Sequence, residues 1–262
     1  MPGSHDMTSS IGGQLLTPRE EDAQLRLDFA AFAQRCFREL NPLTPLAMNW
    51  HIEVMAAKLT AVYQGKIRRL IINVPPRYLK SLLGSVAFPA WCLGHDPSLQ
   101  MLCVSYAQDL ADKLARDCRR IMMSEWYQRL FPTRLSPTRQ AVPEFETTAL
   151  GCRLATSTGG VLTGRGADII TIDDPLKPEE ALSKALRQAC NEWFVHTLYS
   201  RLNDKRTGAL LLIMQRLHED DLVGHVLGLE PWEVLSFPAI AEKDEEHRIE
   251  TIWGPRRFRR RI

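Results

Sequence analysis

The sequence has no apolar run long enough to span a bilayer, and its N-terminus lacks the basic-then-apolar layout of a secretory leader. A cytosolic protein is therefore expected. Its six cysteines, Cys36, Cys92, Cys103, Cys118, Cys152 and Cys190, form no C-x-x-C pair and no zinc spacing. Several lie in apolar stretches, so buried reduced thiols are expected rather than disulfides. His218-Glu219-Asp220-Asp221 lacks the H-E-x-x-H spacing of a metal helix and reads instead as an acidic helix cap. The net charge is only +2, which argues neither for nor against a nucleic-acid partner. The charge is unevenly placed, however, because five of the last seven residues are Arg.

What is present is an ordinary globular composition, 45% hydrophobic and 24% charged over 262 residues. That length suits one large domain, or a domain with a small appendage. Residues 1–18 are polar and Gly/Ser-rich, as in a flexible tail. Leu25, Phe29, Phe32, Ala33, Phe37 and Leu40 recur at helical spacing, so one amphipathic helix is expected over Glu20–Leu40, and a second over Asn49–Tyr63. Further helices are expected at 81–93, with Pro89 kinking or ending it, at 107–123, at 179–202 and at 220–229. Apolar strands are expected at 70–74, 99–105, 169–172, 209–214 and 232–237. A hairpin is expected at 144–157, loop at 131–143, and a turned or mobile Gly-rich segment at 158–166. From Ala241 onward the chain reads as charged and irregular. Buried strands alternating with helices predict an α/β fold whose parallel sheet is covered on both faces, with ligands at the carboxyl ends of the strands.

Leu70–Val74 ends in Pro75-Pro76, which cannot continue a sheet ladder, and Arg77, Lys80 and Ser81 follow before a helix. Strand, tight loop, Lys-Ser and helix form the layout of a phosphate-binding loop. The helix start offers free N–H groups to an anion, Lys80 reaches the outer phosphates, and the Ser81 hydroxyl can hold Mg²⁺. The standard pattern places Gly where this chain has Val74 and Leu79, and a plain Pro-Pro turn after a buried strand is the competing reading. Ile169-Ile170-Thr171-Ile172 ends in Asp173-Asp174-Pro175. Asp173 suits a Mg²⁺ partner and Asp174 a group that orients or deprotonates water. Asp-Pro also suits an Asx turn. Two carboxylates at the end of a buried strand nevertheless repel each other unless a cation lies nearby. A third strand end carries Gln215-Arg216.

The segments Asn49-Trp50-His51, Pro75-Pro76-Arg77-Tyr78-Leu79-Lys80-Ser81, Thr163-Gly164-Arg165-Gly166-Ala167-Asp168, Asp173-Asp174-Pro175 and Met214-Gln215-Arg216-Leu217-His218-Glu219-Asp220-Asp221-Leu222 occur in that order. Together they resemble the ATPase half of the large terminase subunit of tailed bacteriophages and prophages, over about residues 20–255. The resemblance implies a RecA-like ATPase of the additional-strand class that uses ATP and Mg²⁺ to pump double-stranded DNA into a procapsid. It implies that Pro76, Arg77, Tyr78, Leu79, Lys80 and Ser81 cradle the phosphates in a variant loop, with Arg77 at the γ-phosphate. By the same resemblance Asn49, Trp50 and His51 match the adenine motif, although a Trp on a helix is more often core than base-stacking. Asp173 and Ser81 are the Mg²⁺ pair, and Gln215 is the γ-phosphate sensor. Asp174 stands where many members have a glutamate base, with Glu179 and Glu180 as alternatives, and Arg165 resembles a trans-acting finger.

The implied partners are the portal, the small terminase subunit and further copies of this chain in a ring, in the host cytoplasm and with no membrane. The implied domains are the tail at 1–18, a motor at 19–240 whose part 19–66 is helical, and a charged linker at 241–262 toward a nuclease domain. No strand-borne Asp is seen in 241–262, so no nuclease activity is expected of this chain. A helicase or repair ATPase of the same fold, or a nucleotide-binding assembly module with little turnover, are the other readings.

Overall fold

The computed structural model describes Ser10, Ile11 and residues 14–262, so the expected tail at 1–18 falls mostly outside the described residues. Helix α1 (Pro18–Leu27) starts where Thr17 and Glu20 cap each other, with Pro18 pre-set for the first turn. The single helix expected over 20–40 is two. Asp28 ends α1, and its carboxylate accepts the Ala30 N–H at 2.9 Å to open α2 (Phe29–Leu40). A short polar side chain that bonds its own backbone competes with helix continuation. The apolar spacing stays in phase across the break, which hides it from the sequence. Helix α3 (Trp50–Tyr63) ends before Gly65, whose φ of 70° a side chain would resist.

Strand β1 (Arg69–Asn73) leads through the 74–81 loop into a π-helical segment, Leu82–Ala87, and then α4 (Phe88–His95). Pro89 neither ends this helix nor kinks it alone, because the wide turn before it accommodates the missing N–H. Next come β2 (Gln100–Ser105), α5 (Gln108–Met123) and α6 (Glu125–Leu130), the last opened by a Ser124 cap. The loop expected at 131–143 contains β3 (Leu135–Gln140). Pro137 is tolerated there because β3 is an edge strand with no partner on its outer side. Strands β4 (Glu144–Thr147) and β5 (Cys152–Ser157) form the expected hairpin, followed by β6 (Ile169–Asp173).

The helix expected over 179–202 is segmented. A 3₁₀ turn at Glu180–Leu182 precedes α7 (Lys184–Trp193), which then widens into a π turn and another 3₁₀ turn. Ser183 caps α7 through the Leu186 N–H and so interrupts the run at its start. Strand β7 (Ala209–Met214), α8 (Leu222–Leu227) and β8 (Glu233–Ser236) complete the main body.

The stretch expected to be irregular after Ala241 is an antiparallel hairpin, β9 (Glu245–Thr251) with β10 (Gly254–Arg260). Its inward residues are His247, Ile249 and Phe258, and the charges between them obscured the alternation. The arginine run is tied down, with Arg257 and Arg259 on Glu246 and Arg256 on Glu53 of α3. Arg257, Arg248 and Arg259 together hold the Glu246 carboxyl down to about 2.

The sheet order is β8-β1-β7-β6-β2-β5-β4-β3, parallel from β8 to β5. Helices α2 to α5 bury one face and α7 and α8 the other, in two separate apolar clusters. The chain leaves β1 over α4, enters the sheet three places away at β2, and later fills the gap with β6 and β7. A strand thus stands between the phosphate-loop strand and the Asp173 strand, which is the RecA-like additional-strand arrangement. The register sets Asp173 opposite both Ser105 and Ile213, and Asn73 opposite Met214. The polar ends of β1, β6 and β7 therefore lie side by side. Among the described residues no helix is long and apolar enough to cross a membrane.

Candidate nucleotide site

The loop after β1 keeps the backbone of a glycine loop without the glycine. Leu79, at the position before Lys80, has φ 62°, and Arg77 has φ 68°. Left-handed backbone costs an ordinary residue roughly 1–2 kcal/mol, and such strain persists only where surrounding contacts hold it. Pro76 and Arg77 are exposed, Tyr78 and Leu79 are half-buried, and Lys80 and Ser81 begin the helix.

Lys80 is 8% exposed, and its Nζ lies 2.8 Å from Asp174 Oδ2. Asp174 itself has φ 47°, donates its N–H to the Ile213 carbonyl, and accepts the Gln215 N–H on Oδ1 at 3.2 Å. One carboxylate thus joins the ends of β1, β6 and β7. The lysine fits the chemistry of an anion site in which a phosphate replaces Asp174 as its partner.

Asp173 points into the protein and is 1% exposed. Its Oδ2 accepts the Ser85 hydroxyl at 2.8 Å, and its Oδ1 is buried without a partner. Burial, then the adjacent Asp174 charge, push its carboxyl up to about 6, against hydrogen bonds from Ser85 and Ser81 and the charge of Lys80. An orphaned carboxylate oxygen, on a carboxyl that the Ser81 hydroxyl also acts on, is an all-oxygen donor set, which suits a hard cation such as Mg²⁺. Asp173 and Ser81 fit that ion. Among the described residues no cluster of three His, Cys, Asp or Glu side chains could hold a metal by itself.

The remaining expected residues fall in different places. Gln215 is half-buried at the end of β7, held by Asp174. Arg216 turns away to Asp221, at 2.9 Å, and Asp221 caps α8 through the Gly224 N–H. The acidic run 218–221 is therefore a cap. Glu180 accepts the Lys177 N–H and Glu179 is exposed, so of the three candidate bases only Asp174 touches both Lys80 and Gln215. Asn49 is exposed at the start of α3. Trp50 stacks on His247 at 5.3 Å and 25° and meets Phe237 edge-on at 5.2 Å. His51 leans on Tyr78 of the phosphate loop at 5.0 Å, and burial lowers its pKa, favouring the neutral ring. The structure brings His51, but not Arg165, to this cluster. Arg165 makes a two-pronged pair with Glu144 at 2.5 and 2.8 Å.

Two residues the sequence reading passed over complete the site. Ser85 holds Asp173, and Arg153, on β5, donates to the Ser85 carbonyl at 2.9 Å. The only sequence signal for them is a Ser and an Arg inside otherwise apolar stretches.

No protein-family model matches the chain, and no curated protein is similar to it in sequence. Solved structures similar to it include the ATPase domain of the Thermus phage P74-26 large terminase, at 16% identity over 69% of this chain and 68% of that one, TM-score 0.43. The HK97 bacteriophage large terminase is matched at 13% identity over 80% of this chain but only 45% of that one, TM-score 0.48. A variant of S. cerevisiae Dbp5, bound to a variant Gle1 and IP6, is matched at 12% identity over 83% of this chain and 52% of that one, TM-score 0.49.

Proposed function

We propose that the chain is a Mg²⁺-dependent ATPase, and more finely the ATPase half of a large terminase that drives double-stranded DNA into a viral procapsid. The observation that carries the reading is Asp174, which touches both Lys80 and Gln215 while Asp173 beside it keeps one oxygen open. Lys80, with Arg77 above it, binds the outer phosphates of ATP and in doing so releases Asp174. Asp174, no longer neutralised by the ammonium, orients the attacking water and accepts its proton. Gln215, bonded to Asp174 through the backbone at the end of β7, is placed to report the state of the γ-phosphate. Bound Mg²⁺, held by Asp173 and Ser81, would neutralise charge on the phosphate oxygens.

Arg165 acts on a neighbouring copy in a ring. Its pair with Glu144 is 46% exposed on the arginine side, and such pairs cost little to open. The portal, the small terminase subunit and a ring of copies, working in the host cytoplasm, belong to this reading.

Steady-state ATP hydrolysis measured with duplex DNA, with single-stranded DNA and without DNA tests it. Stimulation by duplex is expected. Stimulation confined to single strands, with unwinding, would move the chain to the helicase class. Nucleotide binding without turnover in all three would make it an assembly module.

A further inference from the structure

We propose that Arg153 is a positioning residue: by gripping the Ser85 carbonyl it keeps the Ser85 hydroxyl on Asp173, and so sets the carboxylate with which Asp173 takes Mg²⁺. The inference rests on the metal role of Asp173 argued above.

Arg153 is the largest fully buried side chain among the described residues, 1% exposed within the sheet. A guanidinium cannot shed its charge. Yet its one hydrogen bond is Nη2 to the Ser85 carbonyl, and Nε and Nη1 have no partner. The thiols it acts on most, Cys103 and Cys118, are raised by burial, Cys118 to about 12, so both are neutral and neither balances the charge. A buried, poorly paired charge is costly, and an apolar residue of similar volume would serve packing better. Packing alone therefore does not account for an arginine at this position.

The carbonyl that it grips lies inside the π-helical turn that opens the helix after the phosphate loop. Pro89, four residues after Ser85, has no N–H, so no α-helical i+4 bond reaches that carbonyl. The chain there is π-helical over Leu82–Ala87, and wide turns of this kind gather at functional sites. Arg153 donates to this carbonyl of Ser85 from the neighbouring strand. The same residue then sends its hydroxyl to Asp173 Oδ2 at 2.8 Å, leaving Oδ1 as the open oxygen. The order is β5, π turn, β6: guanidinium, carbonyl, hydroxyl, carboxylate. Partners of this kind behind a metal ligand fix its orientation, and their loss typically costs 10–100-fold in metal affinity.

The test follows binding of a fluorescent ATP analogue by the full chain during Mg²⁺ titration, independently of turnover, and then hydrolysis. Ser85→Ala and Arg153→Met are each expected to raise the half-saturating Mg²⁺ concentration about 10-fold or more. The double variant should be no worse than the poorer single, and Arg153→Lys, which can still donate to the carbonyl, should recover part of the loss. Metal-free nucleotide binding should not change. Unchanged Mg²⁺ half-saturation in Ser85→Ala, or additive effects in the double variant, would overturn the proposal. Should Arg153→Met fail to fold, Ser85→Ala and Arg153→Lys carry the decision alone. Asp173→Asn separates the two layers. If it keeps Mg²⁺ dependence, the metal reading itself is wrong; if it loses it while the Ser85 variant does not, only the relay is wrong.

Discussion

The two ends of the parallel sheet carry similar residue types and use them in opposite ways. At the end where the strands begin, Asp168 accepts the Gln100 N–H at 2.8 Å and the Asn203 amide at 2.9 Å. Arg69 there binds Glu230 at 2.8 Å and donates to the Gly208 carbonyl at 3.1 Å. Both carboxylate oxygens of Asp168 are partnered. At the end where the strands finish, Asn73 Oδ1 and Asp173 Oδ1 are buried without partners. Of the four non-glycine residues with positive φ among the described residues, three are at that end: Arg77, Leu79 and Asp174. Backbone strain is normally relieved, so its concentration at one end marks where the fold gives up stability for a site.

The sharpest break of this comparison is a pair of cation removals. Lys80→Ala is expected to lower ATP turnover by at least about a thousandfold, because nothing else buried can meet the outer phosphates. Arg69→Ala is expected to cost about 2 kcal/mol of folding stability and leave turnover per folded molecule near wild type. Steady-state hydrolysis and urea unfolding of both variants give the four numbers needed. Equal loss of turnover from both would erase the distinction between the two ends.

Asp174→Asn comes next, with hydrolysis reduced roughly 10²–10⁴-fold while Mg²⁺-ATP still binds. Normal turnover would transfer the role of base to Glu179 or Glu180. Asp173→Asn has the same cost to activity but a third signature, in stability. Its carboxyl titrates near 6 in the folded protein against 3.8 as its ordinary value. The unfolded chain therefore ionises first as pH rises, and the metal-free wild type loses about 3 kcal/mol in all as pH climbs from about 3 to about 7. The asparagine variant escapes that loss. Unfolding in urea without metal should show the variant gaining on wild type from pH 4.5 to pH 7.5; parallel pH profiles would mean that Asp173 carries no penalty.

These contrasts also show what the sequence could and could not tell. The strands β1, β6 and β7 were legible because each is a short apolar run ended by polar residues, and their shared end followed from parallel pairing. That Lys80, Asp173, Asp174 and Gln215 lie together at that end was legible for the same reason. The Asp28 break was not, since one capping side chain leaves the apolar period in phase. The β9–β10 hairpin was not, since its ion pairs put charge where a strand would show alternation. Strand β3 hid behind Pro137, which only an edge position permits. Ser85 and Arg153 were not legible because their roles depend on a contact between β5 and a helix 68 residues away in the chain.

The smallest expected effect asks whether strained backbone is functional wherever it occurs. Leu150, in the turn between β4 and β5, has φ 69° and is 77% exposed, so it packs against little. Leu79 has nearly the same φ, 62°, but is half-buried against the main apolar cluster beside the phosphate loop. Leu150→Gly should relieve the left-handed strain, offset in part by the extra freedom of glycine when unfolded, for a gain of about 0.5–1 kcal/mol. Leu79→Gly gains the same relief but loses a partly buried side chain, so its stability should stay within about 0.5 kcal/mol of wild type. Activity divides them further. The Leu150 variant should hydrolyse ATP at the wild-type rate, whereas Leu79→Gly loosens the turn that aims Lys80 and should weaken nucleotide binding severalfold. Urea midpoints and nucleotide titrations of the two variants decide it. Equal nucleotide affinity in both would mean that the loop's left-handed turn, like the hairpin's, only reverses the chain.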